Sequence, residues 1–357
     1  MIPVTKVFLP PIDEYQAQIK KAWEKEWLTN RGTLVLELED KLKKYLGVDA
    51  MTITNNGTIP LQIAIKALEL DGEILTTPFS YVATTSTIVW ENAQPIFVDI
   101  DPEHLTIDEN LIEDAITEKT SAILATHVFG NPCNIEKIEA IAEKYGLKVI
   151  YDAAHCFGVK YKGSSIFNYG DVSTCSFHAT KLFHTGEGGA MFCKDSEQMH
   201  KLYYHHNFGH NGPLAFYGLG INAKISELQA AMGLAVFPYL DIILSSRKKI
   251  VDQYREYLQG LDISFLKLRQ GTEWNYSYFP VIFKSEEVLN SVMKALNEAN
   301  IFPRRYFYPS LNTITYTKGK PMPVSESVSS RVLCLPIYVH LEPDSVQKTC
   351  DIIINSM

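Results

Sequence analysis

Cysteine is scarce in this chain, and no two cysteines stand at C-x-x-C spacing: Cys133, Cys156, Cys175, Cys193, Cys334 and Cys350 are scattered along it. That scatter argues against a disulfide framework and a thiolate zinc cage, and predicts reduced, mostly buried thiols. Positive charge is not in excess either. At a net charge of -8 the sequence has no basic footprint for a nucleic-acid partner. The opening stretch from Met1 to Pro11 has no apolar signal core. No uninterrupted apolar run suggests a bilayer span, so no membrane partner is expected and the cytoplasm is the expected location. Internal repeats, low-complexity tracts and Pro/Ser-rich linkers are absent. The histidines from His205 to His210 lack an H-E-x-x-H step and an accompanying carboxylate, so no metal site is expected.

What is present is an ordinary globular composition, 46% hydrophobic and 21% charged over 357 residues, which is enough for two domains and a sizeable core. Short β-rich runs at Glu73 to Thr77, Gln94 to Asp99, Ser121 to Thr126 and Leu147 to Asp152 alternate with helical patterns. This alternation predicts an α/β domain with a mainly parallel sheet, whose ligand crevice lies at the carboxyl ends of the strands. Asp99, His127 and Asp152 stand at or just past such ends. From about Ile225 the pattern turns helical, and a long linking helix leads to a smaller α+β region. There Tyr278 to Phe283 reads as a strand and Glu286 to Asn300 as a helix. The expected division is a large domain over 1–240 and a small C-terminal domain over 241–357.

The chemistry-bearing residues cluster around Lys181. It lies between a β-rich run and the glycine turn Gly186-Glu187-Gly188-Gly189, downstream of Tyr151-Asp152-Ala153-Ala154-His155. A lysine for a Schiff base and a carboxylate to keep a ring nitrogen protonated are two of the four things pyridoxal phosphate requires of a protein. A phosphate cradle is offered by Asn56-Gly57-Thr58 before the helical run at Gln62, since exposed amides at a helix start bind anions. Ser176 adds a hydroxyl toward the same pocket, and Tyr81 is the candidate to cover the ring face. Each residue has an ordinary alternative: a surface lysine, a capping aspartate, a simple N-cap, a core aromatic. Their joint occurrence is what points to the cofactor.

Together these residues resemble the DegT/DnrJ/EryC1/StrS family of sugar aminotransferases. The resemblance runs from Trp27-Leu28-Thr29 and Leu36-Glu37-Leu38-Glu39, through Asn56-Gly57-Thr58, Pro78-Phe79-Ser80-Tyr81 and Asp152-Ala153-Ala154-His155, to Ser176-Phe177-His178 with Lys181. It implies the type I fold of the aspartate aminotransferase class, with pyridoxal 5'-phosphate as cofactor and its pyridoxamine form as intermediate. Lys181 and Asp152 would be catalytic. Gly57, Thr58 and Ser176 would hold the phosphate, Tyr81 would stack on the ring, and His155, where Gln is frequent, would lie by the phenolic oxygen. Asn222, in Gly220-Ile221-Asn222-Ala223-Lys224, resembles an asparagine that reaches the neighbouring subunit's phosphate, which implies a homodimer with shared sites. Lys224 and Ile225 depart from the Arg and Met common there, and Lys lacks the bidentate fork of Arg.

The segment Arg304-Arg305-Tyr306-Phe307-Tyr308 is similar to one that lines the nucleotide-sugar site in members acting on dTDP-linked hexoses. With Thr29, Arg31 and His184 it supplies the expected substrate residues Arg304, Arg305, Tyr306 and Tyr308. The implied reaction passes the amino group of L-glutamate to a nucleotide-linked keto-sugar. The favoured substrate is dTDP-4-keto-6-deoxy-D-glucose, for a surface polysaccharide such as an O-antigen; relatives that aminate carbon 3 share these segments. Family members that dehydrate replace the lysine with histidine, so Lys181 favours transamination. A regulator that keeps the pocket without turnover and an amino-acid decarboxylase on the same fold are the other readings.

Overall fold

The computed structural model describes residues 1–317 and 319–357. Its centre is a seven-stranded sheet made of β1 (Met51–Thr54), β2 (Glu73–Thr76), β3 (Gln94–Phe97), β4 (Thr120–Thr126), β5 (Lys148–Asp152), β6 (Val172–Ser176) and β7 (Gly189–Phe192). Across the sheet the order is β1-β7-β6-β5-β4-β2-β3. The inner strands are buried on both faces, and β4 and β5 carry continuous rather than alternating hydrophobic runs. Helices Ile59–Ala67, Val82–Trp90 and Ile135–Tyr145 carry the chain back between successive parallel strands.

The sheet is mainly parallel, as expected, and β7 is the exception: it runs antiparallel to both β6 and β1. The reason is local. From Phe177 to Gly188 the chain forms no helix, and without a crossover the next strand can only return antiparallel. That unstructured return is the segment carrying Lys181. It emerges where β4, β5 and β6 all end, with Thr126 in register opposite Asp152 and Asp152 opposite Thr174.

The C-terminal unit contains an antiparallel sheet of β8 (Ile263–Phe265), β9 (Pro280–Phe283) and β10 (Val332–Cys334), in the order β8-β9-β10. Helices Leu240–Leu258 and Pro343–Ser356 pack beside it around buried Val251, Tyr254, Leu289 and Val346. The strand expected from Tyr278 begins only at Pro280, which leaves Tyr278 in the loop before it. The position 240 falls at the first residue of helix Leu240–Leu258. Ile2 and Pro3 pair with Ile301 and Phe302, so the first residues of the chain join the C-terminal unit.

The expectation that no run has the length and composition of a membrane span needs correction, because Glu227–Leu258 passes that test. The stretch is two helices joined by the turn Phe237–Tyr239, and Ala230, Ala231, Leu234, Leu240 and Ile243 from it lie in the main core cluster. The second helix is amphipathic, with Arg247 and Arg255 among its charges, as core-packing helices of globular domains are.

Candidate active site

Asp152 ends β5 fully inside the protein, and burial pushes its carboxyl above its ordinary range against three opposing influences. These are a 2.6 Å hydrogen bond from the Thr84 hydroxyl, a 3.1 Å bond from the Ala154 amide, and the charge of Lys181. The Thr84 hydroxyl has one hydrogen and gives it to Asp152. At the 2.7 Å contact between Ser80 and Thr84, Ser80 is therefore the donor, and Thr126 donates to Ser80 in turn at 3.1 Å. Three buried hydroxyls thus point their hydrogens toward one carboxylate. The helix Val82–Trp90 brings Thr84 there, and the β4 terminus brings Thr126.

Lys181 is half-buried. Its Nζ donates to the Tyr278 hydroxyl at 3.0 Å, and its charge acts on both Asp152 and His155. His155 is buried and held well below its ordinary range, first by burial and then by Lys181, so its ring is neutral. Its Nδ1 accepts from the Phe129 amide at 3.1 Å, which places the ring proton on Nε2 as a donor. Ala154, His155, Ser176, Thr180, Lys181 and Tyr278 line one cleft.

The loop Asn55 to Thr58 packs against Ser176, which lines the cleft. A Cβ on Gly57 would stand 2.6 Å from the Ser176 Cβ, so only glycine lets this loop press against the end of β6. Asn56 Oδ1 accepts from the amides of Thr58 and Ile59 at 2.9 Å each, which orders the helix start; the Thr58 side chain makes no cap bond. The residues fit pyridoxal phosphate: a lysine amine, a buried carboxylate served by aligned donors, a neutral histidine donor, and two hydroxyls beside a glycine. Tyr81 stands at the start of helix Val82–Trp90 with its ring 56% exposed, open for stacking.

The expected substrate residues are not all gathered here. Tyr306 is: it lines a second narrow cleft with Thr180, Ser277 and Tyr278. The exposed Arg304 guanidinium lies 5.0 Å from the Tyr306 ring centre. Arg305 turns away. It donates to Glu286 at 2.7 Å and to the Ser330 carbonyl at 2.9 Å, with the exposed Tyr308 ring against it. Arg31 bonds buried Glu39 at 2.7 Å and sits over Tyr203, beside an open groove of about 350 Å³ that does not include Lys181. Exposed Thr29 belongs to the same turn, where the Glu227 carboxylate caps the next helix at the amides of Leu34 and Val35. His184 is buried with both nitrogens used. Nε2 meets the Phe8 carbonyl at 2.7 Å and Nδ1 the Gly186 amide at 3.2 Å, so no polar atom of this ring is free for a ligand. It ties the N-terminal segment to the lysine loop instead.

Asn222 is exposed and bonded by Lys224 Nζ at 2.8 Å, beyond a hairpin that leaves Phe208, Leu214, Phe216 and Leu219 in solvent. Sequence reasoning missed Tyr278, Thr126 and Asn275. The only signal for Asn275 and Tyr278 was the polar and aromatic run Asn275-Tyr276-Ser277-Tyr278 ahead of an apolar strand, and for Thr126 its place at the end of a β-rich run.

A lysine beside a buried carboxylate at the carboxyl end of a mainly parallel sheet defines the class as pyridoxal-phosphate-dependent enzymes of the aminotransferase fold. The model of the DegT/DnrJ/EryC1/StrS aminotransferase family matches residues 12–354. The chain belongs to that family and is a sugar aminotransferase. It is 39% identical over 368 residues to a dTDP-4-amino-4,6-dideoxy-D-glucose transaminase of Escherichia coli, covering 100% of this chain and 99% of the other. A Shigella dysenteriae protein of the same description is 40% identical, covering 96% of each chain. The crystal structure of DesI in the presence of its TDP-sugar product aligns with a TM-score of 0.94 at 29% identity, over 99% of this chain and 92% of that one.

Proposed function

We propose that the protein transfers the amino group of L-glutamate to dTDP-4-keto-6-deoxy-D-glucose, giving dTDP-4-amino-4,6-dideoxy-D-glucose for a surface polysaccharide such as an O-antigen. The observation that carries the reaction type is the meeting of Lys181 with neutral His155 in one cleft, with the charge of Lys181 acting on buried Asp152 behind it. Support for the sugar comes from two relatives of that description at 39% and 40% identity over nearly the whole chain.

When bound, pyridoxal phosphate supplies an electron sink that lets the amino-bearing carbon of a substrate lose a proton. Lys181 Nζ would be the group that takes up and returns the proton in each direction of a ping-pong cycle. Asp152 would keep a ring nitrogen protonated, and the hydroxyls of Thr84, Ser80 and Thr126 oppose the cost that burial puts on its charge. His155 would have its Nε2 hydrogen to give to a phenolic oxygen. Gly57, Thr58 and Ser176 would hold the phosphate, Tyr81 would cover the ring, and Tyr306 with Arg304 would face the sugar nucleotide; the guanidinium suits a diphosphate. A homodimer is part of this reading, with Asn222 reaching the second copy's site and the apolar hairpin from Phe208 to Ile221 as contact surface.

The test mixes purified, cofactor-loaded protein and L-glutamate with dTDP-4-keto-6-deoxyglucose and, separately, with its 3-keto isomer, and identifies products by mass and NMR. An equatorial amine at carbon 4 supports the proposal. Amination of the 3-keto isomer alone transfers the enzyme to 3-amino-sugar synthesis, and no product from either removes the substrate assignment.

A further inference from the structure

Tyr278 meets the reacting nitrogen itself, and the loop that presents it is held with unusual thoroughness. Asn275, 2% exposed, donates from Nδ2 to the carbonyls of His155 at 2.8 Å and Phe157 at 2.9 Å. Its Oδ1 accepts from the Ser277 amide at 3.1 Å, and the Ser277 hydroxyl donates to the same His155 carbonyl at 2.8 Å. From the other side, Arg247 of the helix Leu240–Leu258 donates from Nη1 to the carbonyls of Tyr276 and Ser277 at 3.2 and 3.1 Å. Between them Tyr276 adopts a left-handed backbone, with φ 56°, which a tyrosine takes only under constraint.

Arg247 is 4% exposed, its Nε is unpartnered, and no carboxylate pairs with it among the described residues. Burial lowers its guanidinium to about 10. A buried cation that spends its hydrogen bonds on two backbone carbonyls is costly unless the geometry it enforces is needed. What it enforces is the place of the next residue. The Tyr278 ring is packed edge-on to His155 at 4.7 Å and to Tyr306 at 5.4 Å, with its hydroxyl 3.0 Å from Lys181 Nζ.

We propose that Tyr278 is a catalytic residue of the amino transfer, holding the Lys181 amine through its phenol oxygen whenever that amine is free, and that Arg247 and Asn275 are the positioning residues that fix it there. Lysine carries its amine on a flexible four-carbon stem. A hydrogen bond to an immobile acceptor keeps the amine in the cleft between the step in which it leaves a substrate and the step in which it moves a proton. The phenol's own hydrogen is not used in that bond and is available to a ligand. This inference rests on the cofactor reading proposed above.

The test uses the full-length protein loaded with pyridoxal phosphate, as wild type, Tyr278→Phe, Arg247→Lys and the double variant. The probe is aminooxyacetate, which needs no knowledge of the natural donor. Its nitrogen forms a double bond to the pyridoxal carbon, the bond from that carbon to Lys181 Nζ breaks, and the two protons lost by the oxyamine end on Nζ, with no change of oxidation state. In Tyr278→Phe the lysine-dependent absorbance is retained while the exchange slows about 100-fold, and kcat with glutamate falls similarly at nearly constant KM. Arg247→Lys slows the exchange about 10-fold, and the double variant is no slower than Tyr278→Phe alone, because both act through one contact. Exchange in Tyr278→Phe within about twofold of wild type overturns the proposal, as does loss of the cofactor from that variant, which would make the residue structural. Additive slowing in the double variant overturns the role of Arg247. Wild type that shows no lysine-dependent absorbance removes the cofactor reading and this inference with it. Exchange that depends on Tyr278 without amine transfer from glutamate sustains the inference and removes only the donor.

Discussion

The floor of the cleft and its rim are built on opposite plans. On the floor Asp152, His155, Thr84, Thr126 and Asn275 are buried and find partners inside the chain. At the rim and along the adjoining hairpin, Tyr81 is 56%, Tyr308 52%, Phe216 65% and Leu214 94% exposed. The floor sets charge and orientation before any ligand arrives, which is what proton chemistry requires. The rim leaves apolar and aromatic area in water, which is favourable only when something else covers it. In this fold the buried polar residues near Lys181 find their partners within the chain, whereas the exposed aromatic and apolar residues of the rim and hairpin are not covered by it.

The sharpest break falls on the floor. Lys181→Ala is expected to remove amino transfer by about four orders of magnitude or more, together with the lysine-linked absorbance, as read by product formation and spectrum. Asp152→Asn is expected to cost about a thousandfold in rate and yet to stabilise the cofactor-free protein at neutral pH. Burial raises the folded carboxyl above its unfolded value near 3.9. The folded state therefore binds a proton that the unfolded state has already lost, and the contribution of this group falls as pH rises through that window. Asparagine does not titrate, so its thermal midpoint should exceed that of wild type by about 2 °C at pH 7, with the gain vanishing in acid below the unfolded pKa. An equal or lower midpoint at pH 7 would show that Asp152 is not under burial strain.

On the other side of the comparison, Phe216→Asp should leave the floor intact. Its lysine-linked absorbance stays as in wild type, while self-association measured by sedimentation weakens about 30-fold, or about 2 kcal/mol. Unchanged association would separate the hairpin from the dimer contact. The smallest effect lies away from both regions. Ser226→Ala loses the capping box at the start of helix Glu227–Val236 and should cost about 1 kcal/mol in denaturant unfolding without changing kcat.

Lys181, Asp152, Gly57 and Ser176 were legible in the sequence because each sits in a short run whose local pattern of strand end, glycine turn or helix start already limits where its side chain can go. The mainly parallel sheet was legible for the same reason, through strands that alternate with helices. Tyr278 was not, because its role depends on a contact 97 residues away in the chain, and its own neighbourhood reads as the start of a strand. Arg247 looks like any helical surface arginine until the fold closes the loop over it. His184 and Arg305 misled for the converse reason: their residue types suit a ligand, but Phe8 and Glu286, brought up by distant segments, occupy them first.

The line of hydroxyls behind Asp152 has a further consequence. Thr126, Ser80 and Thr84 are ordered head to tail, so their O–H dipoles add, and together they present a small positive potential at one oxygen of the carboxylate. For that oxygen to give a hydrogen back to Thr84, all three rotors would have to turn over in concert, because each hydroxyl has a single hydrogen to give. The direction of three neutral groups is therefore set by the one carboxylate at the end of the line, and they answer to its charge as a unit rather than one by one.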